Sequence, residues 1–209
     1  TGLLVLRALI ACFMYWIFRE RAFFLFAGMM LSAALYFADR SGLMEQLGRF
    51  PNQSDPFALS LFAITGIVGF TSLFVIVFIQ LSRNMKWYFR FYAAFSGFTA
   101  TAPFLFAFLI QDLVLSHQVV NLFIGSWVVF SIWPVGWLAW RGQSAARALI
   151  LPLGLLFIGA LIFLLGNMKV LPDIYVVSYG FQIGLLLFSG FLFFGLFDAR
   201  GGLDLRSQE

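Results

Sequence analysis

Residues 57–82 read FALSLFAITGIVGFTSLFVIVFIQLS, a run without a single charged side chain and with apolar groups on every face of any helix it could form. Periodicity says nothing in such a stretch, so length decides. A helix rising about 1.5 Å per residue crosses a hydrocarbon core of about 30 Å with roughly 17–25 apolar residues. Six further stretches fall near that window: 2–18, 22–38, 87–111, 119–140, 148–166 and 174–197. A segment in lipid must satisfy its backbone hydrogen bonds internally, which leaves helices or a closed barrel. Long apolar runs without period-two alternation exclude the barrel. The sequence therefore predicts an all-α polytopic membrane protein, a seven-transmembrane-helix bundle over 1–198 followed by a polar cytoplasmic tail at 199–209.

Composition agrees, with 62% hydrophobic and 11% charged residues and a mean hydropathy of +0.97. The single Cys12 lies in the first span and cannot form an internal disulfide. The net charge of +4 is distributed as a topology signal. With the N-terminus outside, Arg19, Arg21, Arg83, Lys86, Arg90, Arg141, Arg147, Arg200 and Arg206 lie on the inner side, nine of the thirteen basic residues. Arg40, Arg49 and Lys169 fall outside, and Arg7 sits within the first span. The positive-inside rule then sets N-out and C-in. These cations contact lipid headgroups, and no nucleic-acid partner is expected.

The outer side carries Asp39, Glu45, Asp55, Asp112 and Asp173, and its loop from about Asp39 to Pro56 is the longest in the chain. The inner connections at Arg19-Glu20-Arg21 and Arg83 to Lys86 are tight turns forcing antiparallel hairpins, and Arg141 to Arg147 is slightly longer. They leave no room for a catalytic site built on cytoplasmic loops. The chain opens at Thr1 directly into a span without a signal-peptide pattern, so a processed or excised piece of a longer protein is expected. The tail from Asp198 to Glu209, with Gly201-Gly202 and Asp204-Leu205-Arg206, is expected to root a missing output domain.

Chemistry-bearing residues are few. The last span has no lysine for a retinal Schiff base. His117, at the outer mouth of the fourth and fifth spans, is the one histidine, so neither a bis-histidine haem nor a zinc site is expected. No catalytic, cofactor-binding or metal site is assigned, and no enzymatic activity or cofactor is expected. Intramembrane polar groups are functional candidates because they are costly there. Arg7 can snorkel to the surface or pair with Asp112 at the outer end of the fourth span. Gln182, deep in the seventh span, suits an interhelical hydrogen bond or a switching role.

Small residues mark helix-packing faces: Ala93, Gly97 and Thr101 at four-residue spacing on the fourth span, Gly180 and Gly184 on the seventh. Each face suits packing within the chain and leaves open a homodimer seam. Pro103, Pro134 and Pro152 each remove a backbone donor in or near a span and are candidate kinks. Trp87, Tyr88, Trp137 and Trp140 fall where interfacial anchors belong, whereas Trp127 and Trp133 lie deeper and are expected to pack in the bundle.

The opening hairpin, Phe18-Arg19-Glu20-Arg21-Ala22-Phe23 followed by Leu35-Tyr36 and Ser41-Gly42-Leu43, resembles bacterial seven-transmembrane receptors with diverse intracellular signalling modules. Arg141-Gly142, Ala146-Arg147, Leu171-Pro172, and Gly184 through Phe197-Asp198-Ala199-Arg200 extend the resemblance over essentially the whole chain. Where many members have a glutamate a few residues after the last-span glycine, this chain has Phe188. The resemblance implies a transmembrane unit of the bacterial inner membrane between an extracytoplasmic ligand-binding domain and a cytoplasmic signalling domain such as a histidine kinase or diguanylate cyclase. The reading that follows is a receptor core relaying ligand occupancy across the bilayer. A small-solute transporter or membrane-embedded enzyme is the alternative, disfavoured by the lack of mid-membrane charge and of inverted repeats with broken helices.

Overall fold

The computed structural model describes residues 2–41, 58–109, 113–167, 172 and 179–192. The described residues are helical, without strands: α1 (Gly2–Phe18), α2 (Arg21–Arg40), α3 (Ala58–Phe78), a single turn α4 (Leu81–Asn84), α5 (Lys86–Leu109), α6 (Leu113–Trp140), α7 (Ser144–Asn167) and α8 (Tyr179–Leu192). They divide into two compact units, Thr1–Ile124 and Gly125–Glu209.

Four helices are long and apolar enough to cross a membrane, over Arg21–Asp39, Leu59–Phe78, Leu122–Trp140 and Ser144–Phe163. The protein is thus a multi-pass membrane protein. α1 and α8 are shorter apolar helices, and α5 is long but carries Lys86, Arg90 and a polar stretch around Ser96, Thr99 and Thr101. The surface agrees with a lipid solvent. Leu9, Trp16, Phe62 and Trp133 are each at least 60% exposed, while the same helices bury small residues such as Ala8, Ala11, Ala63, Thr71, Ser72, Ser131 and Ala139 among larger apolar ones. Lipid tails offer no hydrophobic drive for association, so close packing of small residues holds such helices together.

In the first unit α2 is the central helix, packed against α1 and α3, and α3 packs in turn on α5. Its buried residues include Phe23, Phe26, Met29, Met30, Ala33 and Phe37. α1 contributes Leu4, Ala8 and Ala11, a narrow stripe at helical spacing, and turns its larger side chains outward. Only two residues, Arg19 and Glu20, join α1 to α2. Arg19 adopts φ 57° and Glu20 is extended, so the chain reverses at once into the expected hairpin. In the second unit the buried faces are Trp127, Val128, Ser131, Val135, Leu138 and Ala139 on α6; Leu149, Leu153 and Leu156 on α7; and Leu185, Phe188, Ser189 and Leu192 on α8.

Several boundaries differ from those read in the sequence. The third span, expected to reach Ser82, ends at Phe78 because Gln80 enters the left-handed region at φ 51°. Asn84 Nδ2 then donates to Ile79 O at 2.8 Å, and α4 follows before α5 begins. The turn thus starts at Ile79, not at Arg83. Ile79 and Leu81 extended the apolar run in sequence, yet they are buried in the turn, as is Met85. Helix α6 starts at Leu113 and not at 119, and α7 starts at Ser144 and not at 148, because helices continue into polar residues that hydropathy excludes. The seventh span, expected over 174–197, is described only as Tyr179–Leu192. Pro134 and Pro152 lie inside α6 and α7. Trp127 is buried but Trp133 is 60% exposed, so the bundle packing expected of both applies to Trp127 alone.

Candidate functional site

The tightest feature of the second unit is the antiparallel crossing of α7 and α8. A Cβ placed on Gly159 would lie 2.5 Å from Gly180 O and 2.7 Å from Gly184 Cα. One on Gly184 would lie 2.9 Å from both Gly159 Cα and Leu155 O. Gly180 faces the Ile162 side chain and, at 3.3 Å from its Cβ position, Gly159 O. Backbone therefore meets backbone, and no side chain fits between. Phe163 and Phe181 continue the contact with ring centroids 6.1 Å apart. The sequence singled out Gly180 and Gly184 but missed their partner: Gly159 has no glycine four residues away, although it shares a helix with Gly154.

Gln182 follows Gly180 by two residues and precedes Gly184 by two. At 3.6 residues per turn it lies about 200° around α8 from either glycine, away from the α7 crossing. It is half-buried. Phe188 is fully buried, one turn beyond Gly184 on the same face. This position on the crossing face is thus a packed ring.

On α5 the four-residue spacing makes no comparable approach. A Cβ on Gly97 would meet nothing within 4 Å; Ala93 is half-buried, and Gly97 and Thr101 are exposed. The Thr101 hydroxyl donates to Gly97 O and Phe98 O within its own helix. The neighbouring face makes the interhelical contact, where Thr65 Oγ1 of α3 donates to Ala100 O at 2.7 Å. Arg7 is half-buried on α1. Asp112, a candidate partner beside the alternative of snorkelling, lies outside the described residues, as does the 199–209 tail.

A second glycine crossing joins α2 and α3, and the sequence reading did not single it out. Gly28 lies against the Phe70 ring, whose nearest carbon would be 2.6 Å from an added Cβ, and Gly66 lies against the Ser32 side chain. Farther along the pair, the Ser60 hydroxyl donates to Asp39 Oδ2. These three contacts set one antiparallel register. Buried hydroxyls otherwise donate to carbonyls of their own helix, as Ser72 does to Val68 O and Ser131 to Trp127 O. Thr71 Oγ1 and Ser96 Oγ have no hydrogen-bond partner among the described residues. No cluster of three or more His, Cys, Asp or Glu occurs among the described residues.

A multi-pass helical membrane protein organised by glycine crossings is the class that fold and site define. A family model described as 7TM diverse intracellular signalling matches residues 1–199. The chain belongs to that family. No curated protein and no solved structure matches it.

Proposed function

We propose that the chain is the transmembrane core of a signalling receptor in a bacterial inner membrane, crossing seven times with its N-terminus outside and its C-terminus inside. It carries no catalytic step of its own and joins an extracytoplasmic ligand-binding domain to a cytoplasmic output domain. Family membership over residues 1–199 supports the signalling role, and the nine-of-thirteen bias of basic residues supports the orientation.

The observation that carries the relay is the α7–α8 crossing. α8 belongs to the last span, which leads to the cytoplasmic tail, and it meets α7 through glycine backbones with nothing interdigitated at Gly159. A glycine contact resists axial sliding less than a knob-and-hole contact does. Phe188 limits the travel: a full-turn shift of about 5.4 Å would bring the ring level with Gly159, where no side chain fits. Sub-turn shifts remain, and two packings separated by a few kcal/mol suffice for a switch.

The test is a chimera with a kinase or cyclase fused after Glu209 and a known sensor domain before Thr1, with surface expression measured in parallel. Gly184→Ile should lock or scramble output, whereas Ile183→Leu on the exposed side of α8 should leave it intact. An unchanged ligand response in a well-expressed Gly184→Ile chimera would rule out this route. Reporters after Glu209 and within the Asp39 to Pro56 loop should be active inside and outside respectively; the reverse pattern would overturn the orientation.

A further inference from the structure

We propose that the α6–α7 turn is a binding site for the phosphate of an anionic phospholipid headgroup, formed by Arg141 and Arg147 and bordered by Trp137 and Trp140. The proposal rests only on the chain being a membrane protein, and stands whether or not it is a receptor and whichever leaflet the turn faces.

The turn is built for two fixed guanidinium groups. Gly142 reverses the chain at φ 92°, a conformation open to glycine at little cost, and Gly142 N donates to Ala139 O at 3.0 Å. Arg147 reaches back from the first turn of α7, and its Nε donates to the same carbonyl at 3.2 Å. One edge of that guanidinium is therefore tied to the end of α6. A terminal nitrogen of Arg147 lies 3.8 Å from the position a Cβ on Gly142 would take, so the group lies over the turn. Arg141, on the other side of Gly142, rests its guanidinium carbon 4.9 Å from the Trp137 ring centroid. The group lies over the indole, a cation–π contact that uses none of its N–H donors in a hydrogen bond to the ring and so suits bidentate contact with phosphate.

Three further observations identify the occupant. First, the described residues of Gly125–Glu209 contain no Asp or Glu, so Arg141 and Arg147 have no counter-ion among them. Second, no acidic residue occupies the first turn of α7, where free backbone N–H groups also favour an anion. Third, Trp137 and Trp140 pack edge to face with centroids 5.6 Å apart, and Trp140 is 80% exposed. An indole pair beside two arginines at the end of a spanning helix is the arrangement expected at headgroup depth. A soluble anion would use the arginines but gain nothing from the exposed indoles. A phospholipid uses both, because its acyl chains cover the apolar wall below the turn, including exposed Trp133 and Ile150.

The full chain, purified in a mild detergent, would be offered phosphatidylglycerol, phosphatidylcholine or inorganic phosphate, with bound species counted by native mass spectrometry. Wild type should retain phosphatidylglycerol over phosphatidylcholine, and millimolar inorganic phosphate should not displace it. Arg141→Gln should weaken retention roughly fivefold and Arg141→Gln with Arg147→Gln by the square of that factor, since each arginine near a headgroup contributes about one such step. Arg141→Gln alone breaks no hydrogen bond in the turn, so it remains decisive if the double variant fails to fold. The control Lys86→Gln, basic but in the other unit, should leave this retention within twofold. Undiminished retention in Arg141→Gln would overturn the proposal. Equal retention of phosphatidylcholine, or displacement by inorganic phosphate, would overturn the assignment to an anionic lipid.

Discussion

Replacing Gly159 by alanine tests the α7–α8 crossing with a single methyl group. The new Cβ would sit 2.7 Å from Gly184 Cα and 2.5 Å from Gly180 O, whereas carbon atoms rest about 3.5–4.0 Å apart. Both neighbours are backbone and cannot rotate away, so the helices must separate by about 0.8 Å or more. A gap of that size forfeits a quarter to a half of each dispersion contact across the crossing. In lipid no hydrophobic gain on reassociation offsets the loss. Overpacking of this kind costs roughly 1–3 kcal/mol. Gly154 is the control on the same helix, since a Cβ there meets nothing within 4 Å. Gly154→Ala should be neutral or stabilise by up to about 1 kcal/mol through helix propensity. Both variants would be unfolded thermally in the same detergent, with helicity followed by circular dichroism and the separation of α7 and α8 by disulfide trapping between cysteines introduced at 163 and 181. Gly159→Ala should unfold earlier and trap more slowly. If the two alanine variants were indistinguishable in both assays, the backbone-to-backbone crossing would be refuted.

Five more substitutions have signs fixed by the structure. Thr65→Val removes the interhelical bond to Ala100 O and should cost about 0.6 kcal/mol, whereas Thr71→Val removes a hydroxyl without a partner and should be neutral or stabilising; denaturation of the two variants side by side checks the opposite signs. Asp39→Ala and Ser60→Ala remove the same tie between α2 and α3, so each should cost about 1 kcal/mol and the double variant little more than either. Full additivity in that cycle would show that the pair does not interact. Gly142→Ala puts a Cβ on a residue at φ 92° and should destabilise by roughly 1 kcal/mol, visible as a lower melting temperature.

The helical class was legible because it depends on run length and charge placement, which a sequence displays directly. The long apolar run at 57–82 needed no knowledge of its neighbours. Its end did: Ile79 and Leu81 raise hydropathy identically whether they extend a span or fold beneath it, and only the left-handed Gln80 separates the two. The candidate faces divide for a related reason. Small residues at four-residue spacing state that a close approach is sterically allowed, not that a partner is present. Gly180 and Gly184 have Gly159 opposite them, whereas Gly97 has nothing within reach of a Cβ. Gly66 carries no such spacing, and Gly28 with Ser32 four residues on was not singled out, because what makes the two glycines matter is the side chain on the facing helix, Phe70 against Gly28 and Ser32 against Gly66.

The two glycine crossings are not equivalent, and the difference bears on how a signal could pass. At α2–α3 the atoms that an added methyl would meet belong to side chains, the Phe70 ring and the Ser32 hydroxymethyl group. The ring can change rotamer, so this crossing can absorb a small displacement at Gly28, whereas at Gly66 the Ser32 Cβ, 2.9 Å from an added methyl, is fixed by its backbone. At Gly159 and Gly184 the opposing atoms are backbone, so a sideways displacement of either helix must move the other as a body or break the contact, while an axial shift of less than a turn meets no side chain there. A ring that swings aside dissipates a push, while a backbone contact transmits it. The same reasoning separates two classes of variant. Substitutions at Gly28 or Gly66 should mainly lower stability and leave a ligand response that scales with surface expression. Substitutions at Gly159 or Gly184 should alter the response itself at equal expression. A set of chimeras in which both crossings changed only expression would leave the α7–α8 pair a structural clamp and place the moving element elsewhere.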